Sequence, residues 1–452
     1  MTTRRKAPSH RARQPRLRRQ RRGAATLVVV MVLFFIVALV SAYTSRNLIF
    51  EQRASTNQYR STQAFEAAEA GLEWALTMLN SGRINAACQS HIDSTTTDDS
   101  FRQRYLNIDA STGALVERNR SDGQPLRAAC VFDGTDWQCS CPVDGAPSLV
   151  EPTGPGPFPA FVLRFSRNDP AYPAGSGPYP AGVIRIESIG CTRVDLDEGC
   201  ATTAASGDGR AAVTILAALK SALVTPPTAA VTVRLDLARE VGATAELNAV
   251  NSNGASSGIT MHSGRPVPTW LASFSRPGTP GDQSFVESDA FLEGLSNERM
   301  FASVFGMARN TFRLQPATVF VDCSVDCSAA TVRNLARLNP GRILWIEVEP
   351  GGSFDIDIND PIGSVASPVA LVVNGDLAVS TAGALLHGVV YVVGNRLANS
   401  DGLTLSGALI AEGNLRLSGG GTSTIVYDES ALGLLNRTSG SFVRVPGSWR
   451  DF

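Results

Sequence analysis

The chain begins with an abrupt change from charged to apolar residues. Residues 1–22 contain ten Arg and Lys side chains and no acidic one, and the stretch from Ala24 to Tyr43 carries no charge. A helix of that length spans roughly 30 Å, the thickness of the hydrocarbon layer of a membrane. The pattern predicts a single membrane-spanning segment, with residue 1 in the cytoplasm and the remainder of the chain exported.

A helical pattern continues beyond the apolar run. Apolar residues recur at intervals of three and four, at Phe65, Ala68, Leu72, Leu76 and Leu79. This spacing predicts a helix with one apolar stripe, and Ser81-Gly82 is a typical helix end. We therefore expect one helix over residues 24–80, apolar throughout its first half and amphipathic in its second half.

The exported part is predicted to be rich in β-structure, which makes the whole chain α+β. Residues 81–150 form a cysteine-containing region, and residues 151–310 combine a Pro/Gly-rich connector with short strands at 161–165, 182–190 and 229–238. The run 211–219 fits either a strand or a buried helix.

Residues 311–452 form a β-rich repeat region. The segments VALVVNG, GVVYVVG and GALIAEG end in Gly375, Gly394 and Gly413, nineteen residues apart each time. A fixed period with glycine at the corners favours a β-solenoid with one coil per repeat. Because only three copies are visible, an antiparallel sandwich is the alternative. Trp449 is expected to cap the stack.

Charge excludes one class of partner. The formal net charge of -1 hides the basic head: from Gly23 onward 30 basic residues stand against 41 acidic ones. A body with a charge of about -11 has no surplus of cations to replace phosphate counterions. We predict no nucleic-acid binding.

The cysteines predict disulfides. Their even number fits an oxidising, exported location. The eight candidates are Cys88, Cys130, Cys139, Cys141, Cys191, Cys200, Cys323 and Cys327. Cys191 with Cys200 and Cys323 with Cys327 form local pairs, while Cys139 and Cys141 are too close to bridge and are assigned to Cys88 and Cys130 without a fixed order. Zinc is the less favoured alternative, since no C-x-x-C motif occurs in the chain.

Little in the chain indicates catalysis, so the prediction is a non-enzymatic protein without a cofactor. Four histidines occur in 452 residues. A weak calcium candidate alternates oxygen ligands but lacks the glycine that the sharp turn requires; its ligands would be Asp355, Asp357, Asn359 and Asp360. A second and weaker candidate comprises Asp195, Asp197 and Glu198.

The junction Arg21-Arg22-Gly23-Ala24 resembles a type IV prepilin leader, and two motifs together resemble the N-terminal module of PilX-like minor pilins. The motifs are Gly23-Ala24-Ala25-Thr26-Leu27-Val28-Val29 and Ala64-Phe65-Glu66-Ala67-Ala68-Glu69-Ala70-Gly71-Leu72. The resemblance implies a leader at residues 1–23, cleavage by a prepilin peptidase after Gly23, and possible N-methylation of Ala24. An uncleaved signal anchor is the alternative.

The resemblance also implies a role in assembly. Phe65, Glu66, Glu69 and Leu72 belong to the assembly helix. Val28 departs from the glutamate that major pilins carry as their fifth mature residue, and an unpaired buried charge is costly. We therefore expect a minor pilin near the filament tip. Alternatives are a large pseudopilin of type II secretion and a signal-anchored periplasmic enzyme.

The expected partners and location follow from the same resemblance. The partners would be other pilins, the prepilin peptidase, the inner-membrane assembly platform and a tip adhesin. The protein would first lie in the bacterial inner membrane with its head exported, and then in a pilus on the cell surface.

Overall fold

The computed structural model describes residues 22–154, 156–167, 179–200, 208–254, 256–275, 284–325 and 327–451. Residues 1–21, which hold most of the predicted leader, lie outside this range. The chain divides into two units, Met1–Tyr59 and Arg60–Phe452.

Helix α1 runs from Arg22 to Leu79 and has 58 residues, close to the predicted 24–80. It is followed by short elements and the first strands: α2 (Phe101–Tyr105), β1 (Leu106–Ile108), β2 (Leu115–Glu117), β3 (Ala129–Phe132), β4 (Trp137–Ser140), β5 (Ala160–Ser166), β6 (Val183–Cys191), β7 (Val194–Asp195), β8 (Gly199–Cys200) and β9 (Arg210–Ser221). The strand alternative for residues 211–219 is thus the correct one.

The next part of the chain alternates short strands and short helices. In order these are β10 (Val231–Val233), β11 (Leu237–Arg239), β12 (Glu246–Asn251), β13 (Met261–Ser263), β14 (Ala272–Ser275), β15 (Phe285–Val286), α3 (Ala290–Glu293), α4 (Asn297–Phe305), α5 (Arg309–Arg313), β16 (Thr318–Asp322), α6 (Ala329–Leu338), β17 (Ile343–Glu347), β18 (Ser353–Ile356), β19 (Val369–Asn374) and β20 (Asp376–Val379). The chain ends with β21 (Ala384–Val392), β22 (Arg396–Asn399), β23 (Leu403–Ala411), β24 (Leu415–Ser418), β25 (Thr422–Tyr427), α7 (Glu429–Thr438) and β26 (Gly440–Arg444).

A six-stranded antiparallel sheet forms the head that packs on α1. Its strand order is β26-β9-β6-β5-β3-β4. The edge strand β26 comes from the C-terminal end of the chain and pairs with β9, so that Phe442 lies opposite Leu219. Residues 222–439 are therefore an insertion between two neighbouring strands of this head sheet.

The insertion is a β-solenoid, as the nineteen-residue period predicts. Strands β17, β19, β21, β23 and β25 pair in parallel in one sheet, and β18, β20, β22 and β24 pair in parallel in a second. Leu371, Val390 and Leu409 occupy the same register position in successive coils and are buried in the interior of the stack. The antiparallel sandwich is wrong, and the α+β class is confirmed.

The stack does not begin at residue 311. Strands β10, β11 and β12 pair in parallel with β23, β24 and β25, respectively. Residues from Val231 onward thus add further coils to the end formed by the C-terminal repeats, and the predicted boundary at 310/311 is wrong. The single strand expected at 229–238 is two strands in different sheets, because the chain turns a solenoid corner after Val233.

A layer of helices covers the outer face of the larger sheet. Helices α4, α5 and α7 supply Phe301, Phe305, Phe312 and Leu435 to a cluster that also contains Tyr391 of β21. Trp449, expected to cap the solenoid, instead contacts Phe65 of α1 edge-to-face, with ring centroids 6.3 Å apart. The chain end therefore returns to the head sheet and does not close the stack.

Candidate assembly surfaces

The first half of α1 is an exposed apolar surface. Its large apolar side chains between Leu27 and Val40 are at least half exposed, and Phe34 reaches 75%. By length and composition, α1 is the one helix in the described residues that could cross a membrane. Water disfavours such a continuous apolar surface, so this segment requires a lipid or protein environment.

The predicted processing and pairing positions lie at the start of α1. Gly23 and Ala24 fall in its first turn, and Val28 follows about one turn later with an exposed side chain. The first acidic residue after the leader is Glu51. The apolar half of the helix thus carries no carboxylate.

The second half of α1 packs on the head sheet through small residues. Ala64, Ala68, Gly71 and Ala75 are buried against the sheet, together with Leu72. The motif that resembles PilX therefore places alanine and glycine on one helix face. This face allows the helix backbone to approach the strands more closely than larger side chains would permit.

Two glycines lie where the helix and the sheet are closest. A Cβ atom on Gly71 would overlap the hydroxyl of Ser188 and lie 2.8 Å from the ring of Phe161. A Cβ atom on Gly190 of β6 would overlap the carbonyl oxygen of Ala64 and lie 2.5 Å from the amide nitrogen of Ala68. Sequence reasoning missed Gly190, because no local pattern shows which strand will face the helix.

The opposite face of this helix half carries an acidic row. Glu66, Glu69 and Glu73 follow one another at intervals of three and four, and all three are exposed. Glu73 reaches Arg444 at 3.9 Å, while Glu66 and Glu69 have no hydrogen-bond or ion-pair partner within the described part of the chain. The spacing alone could have identified this row, which the sequence prediction covered only at Glu66 and Glu69.

A groove of about 600 Å³ borders the acidic row. On the helix side the groove is lined by Glu66 and by the short side chains of Ala67 and Ala70. Its other wall is aromatic and comes from the β3–β4 hairpin and the segment before β5, with Phe132, Trp137 and Phe158. The rings of Phe132 and Trp137 are 5.5 Å apart. The groove thus combines an aromatic wall with an acidic rim.

Four disulfides stabilise unit Arg60–Phe452 and involve all eight cysteines. The pairs are Cys88–Cys141, Cys130–Cys139, Cys191–Cys200 and Cys323–Cys327. Cys130–Cys139 joins β3 to β4 across the hairpin, and Cys88–Cys141 ties the loop after α1 to the end of β4. The sequence left open which of Cys139 and Cys141 pairs with Cys88, and the pairing of neighbouring strands decides it.

The structure does not bring the predicted calcium ligands together. Asp355 accepts a hydrogen bond from Ser380 at 2.7 Å, and Asp360 pairs with Arg333. Within the residues that the structure describes, no group of three His, Cys, Asp or Glu side chains could hold a metal ion.

In the weaker calcium candidate, Asp195 accepts the amide hydrogens of Asp197 and Glu198, and Glu198 pairs with Arg127 at 2.8 Å. Asp195 therefore stabilises a turn, while Asp360 and Glu198 take part in ion pairs.

Two of the three histidines outside the leader pair with aspartates. His91 pairs with Asp98 at 2.6 Å and His262 with Asp289 at 2.8 Å. The hydrogen bond from His262 lowers the pKa of the Asp289 carboxyl. His387 lies on the solenoid strand β21. These three residues lie in separate parts of the chain, with His91 in the loop after α1, His262 on β13 and His387 on β21.

One buried ion pair connects the helical layer to the solenoid. Glu412, whose side chain is fully buried, pairs with Arg309 and accepts a hydrogen bond of 3.0 Å from the hydroxyl of Tyr391. Burial raises the pKa of the Glu412 carboxyl, and Arg309 opposes this effect. The nearby Arg234 donates to the backbone carbonyl of Glu412 and to that of Leu295.

Comparison with known proteins agrees with the N-terminal motifs. Residues 22–73 match a family model described as PilX N-terminal. The predicted resemblance of this module is therefore confirmed. No curated protein sequence matches the chain. Among solved structures, the competence-associated pilin ComZ from Thermus thermophilus aligns at 11% identity over 87% of this chain and 98% of that chain, with a TM-score of 0.19. A superposition of this quality carries no argument.

Proposed function

Because residues 22–73 form a PilX-like N-terminal module, we propose that the protein is a non-enzymatic minor pilin of a type IV pilus. The observation that carries the proposal is the division of α1. Residues 27–40 are apolar and exposed, whereas residues 64–79 are buried through small side chains on a disulfide-stabilised sheet. A subunit built this way can leave the membrane only when other apolar helices cover its own.

The proposed pathway has a processing step and an assembly step. The prepilin peptidase removes the basic leader after Gly23, and the apolar helix holds the protein in the inner membrane with its head exported. The assembly platform then transfers it into a pilus on the cell surface. There the apolar helix packs among those of other pilins.

Val28 supports a position near the tip. A pilin within the shaft provides a carboxylate for the terminal amine of a neighbour, and Val28 provides none. Each copy in the shaft would leave one buried amine unpaired, at a cost of several kcal/mol. Few copies are therefore expected, close to the filament end, where a tip adhesin is a further candidate partner.

The decisive experiment identifies the N-terminal residue of the mature protein by mass spectrometry of the membrane and pilus fractions. We expect a chain that starts at Ala24, with or without an N-methyl group. A Gly23→Ala variant is expected to keep its leader and to be absent from pili. A mature chain that starts at Met1 or near Tyr43, or a Gly23→Ala variant with normal piliation, would contradict the proposal.

A further inference from the structure

We propose that the acidic row Glu66–Glu69–Glu73 and the groove beside it receive the helix of a second copy of this chain. The inference rests on the proposed pilin function and specifies one contact within the filament. Its starting point is the exposed, carboxylate-rich helix face, where Glu66 and Glu69 have no partner of their own in the described structure.

The chain itself carries the complementary charges. Arg46, Arg53 and Arg60 are seven residues apart on α1; Arg46 and Arg53 are exposed and Arg60 is half-buried. Side chains seven apart lie on one face of a helix. The carboxylates Glu66 and Glu73 have the same spacing. One displacement of thirteen residues therefore places Arg53 opposite Glu66 and Arg60 opposite Glu73 in two parallel helices, a stagger of about 20 Å.

Apolar overlap distinguishes this register from its nearest competitor. A displacement of twenty residues would also make two charge pairs, Arg46 with Glu66 and Arg53 with Glu73. It would set the whole apolar run 24–43 of one copy opposite residues 44–63 of the other, which include four charged side chains. The thirteen-residue displacement keeps residues 24–30 opposite the apolar residues 37–43, so less apolar surface faces polar groups.

The groove accommodates an apolar side chain of the same docking segment. Phe50 is 59% exposed and precedes Arg53 by one helical turn. With Arg53 opposite Glu66, Phe50 comes opposite Gln63 at the mouth of the groove, in front of Phe132 and Trp137. Aromatic and arginine side chains are among the residues that contribute most binding energy at protein interfaces. Because each copy lacks the carboxylate at Val28, the contact is expected to join a few copies.

The test uses two differently tagged full-length copies in piliated cells. One carries Arg53→Cys and the other Glu66→Cys, and mild oxidation is followed by non-reducing immunoblotting of sheared pili. We expect a heterodimer at least ten times more abundant than with Thr77→Cys in place of Glu66→Cys. Thr77 is a matched control because it is exposed about three turns further along the same face.

Charge exchange and groove filling provide independent readouts. Glu66→Lys in both copies should reduce their co-purification at least fivefold, and Arg53→Glu added to both copies should restore it. Ala70→Leu, which fills the groove from its helix side, should reduce it without altering the fold.

Equal cross-linking of Thr77→Cys, preferential cross-linking of Arg46→Cys with Glu66→Cys, or absence of any cross-link while both copies are present in pili would overturn the inference and leave the pilin function intact. Absence of the wild-type protein from pili would overturn the proposed function itself.

Discussion

Gly190 of β6 lies directly against the backbone of Ala64 in helix α1. Any side chain at this strand position would overlap the carbonyl oxygen of Ala64 and approach the amide nitrogen of Ala68. Backbone atoms of a helix cannot rotate away as a side-chain end can. The separation between the assembly helix and the head sheet therefore depends on this glycine.

Replacing Gly190 with alanine is expected to lower the free energy of unfolding of the head by about 2–3 kcal/mol, the usual effect of overpacking a rigid interior. Urea unfolding of the full chain in detergent, followed by tryptophan fluorescence, would measure it. Gly413→Ala is the matched control, because a Cβ atom there meets nothing within 4 Å. Equal midpoints for the two variants would show that the helix moves to accommodate the methyl group.

The four disulfides should differ in their contribution to stability. Cys88–Cys141 closes a sequence separation of 53 residues and Cys191–Cys200 one of 9, and all four cysteines are buried. Chain entropy in the unfolded state then predicts losses of about 4 and about 2.5 kcal/mol when each pair is replaced by serine. Urea midpoints of the two double variants under non-reducing conditions test this order. An equal or inverted order would mean that the loop-closure argument does not govern these bonds.

Glu412 should make the free energy of unfolding depend on pH in the direction opposite to that of most carboxyl groups. Because burial raises the pKa of its carboxyl in the folded state, the folded protein binds this proton more tightly than the unfolded chain. The contribution of Glu412 to stability should therefore be largest at pH values below the ordinary pKa of a glutamate, about 4.5, and should decline as the pH rises through the raised pKa.

The control for this effect is Glu412→Gln, which keeps the shape of the side chain but does not titrate. The informative quantity is the slope of unfolding free energy against pH. Identical slopes for the wild type and the variant would refute the assignment to Glu412.

Val28 should limit the number of subunits in each pilus. A Val28→Glu variant supplies a carboxylate in the apolar half of α1, so it should be tolerated within the shaft. We expect at least several-fold more copies per filament, distributed along its length in immunogold labelling. Val28→Leu is the matched control and should leave the wild-type distribution unchanged. Wild-type protein spaced evenly along the shaft would contradict the proposed position near the tip.

Local and periodic features of the fold were accessible from the sequence. The uncharged run from Ala24 to Tyr43 and the three-four spacing after Phe65 depend only on residues close in the chain, and they predicted α1 to within about two residues at each end. The nineteen-residue repeat ending at Gly375, Gly394 and Gly413 predicted a solenoid, because each coil repeats the same register.

Features that depend on distant segments were not accessible. Strands β10–β12 and the C-terminal coils are separated by more than 150 residues, so the boundary placed at 311 divided one stack in two. The partners of Cys88 and Cys130 depended on the path of the β3–β4 hairpin. The groove beside Glu66 could not be predicted either, because its aromatic residues come from two separate segments and no sequence pattern links these segments.

By itself the sequence determined the apolar helix, its amphipathic continuation, the repeat period and the resemblance of the N-terminal module to PilX, because each is encoded by local or periodic patterns of residues. Only the tertiary structure decided that the solenoid is inserted between β9 and β26, that Gly190 meets Ala64, and that an acidic helix face borders an aromatic groove. The physical reason is that these contacts join residues far apart in the chain. Their pairing is selected by the packing of the whole head and leaves no local periodicity.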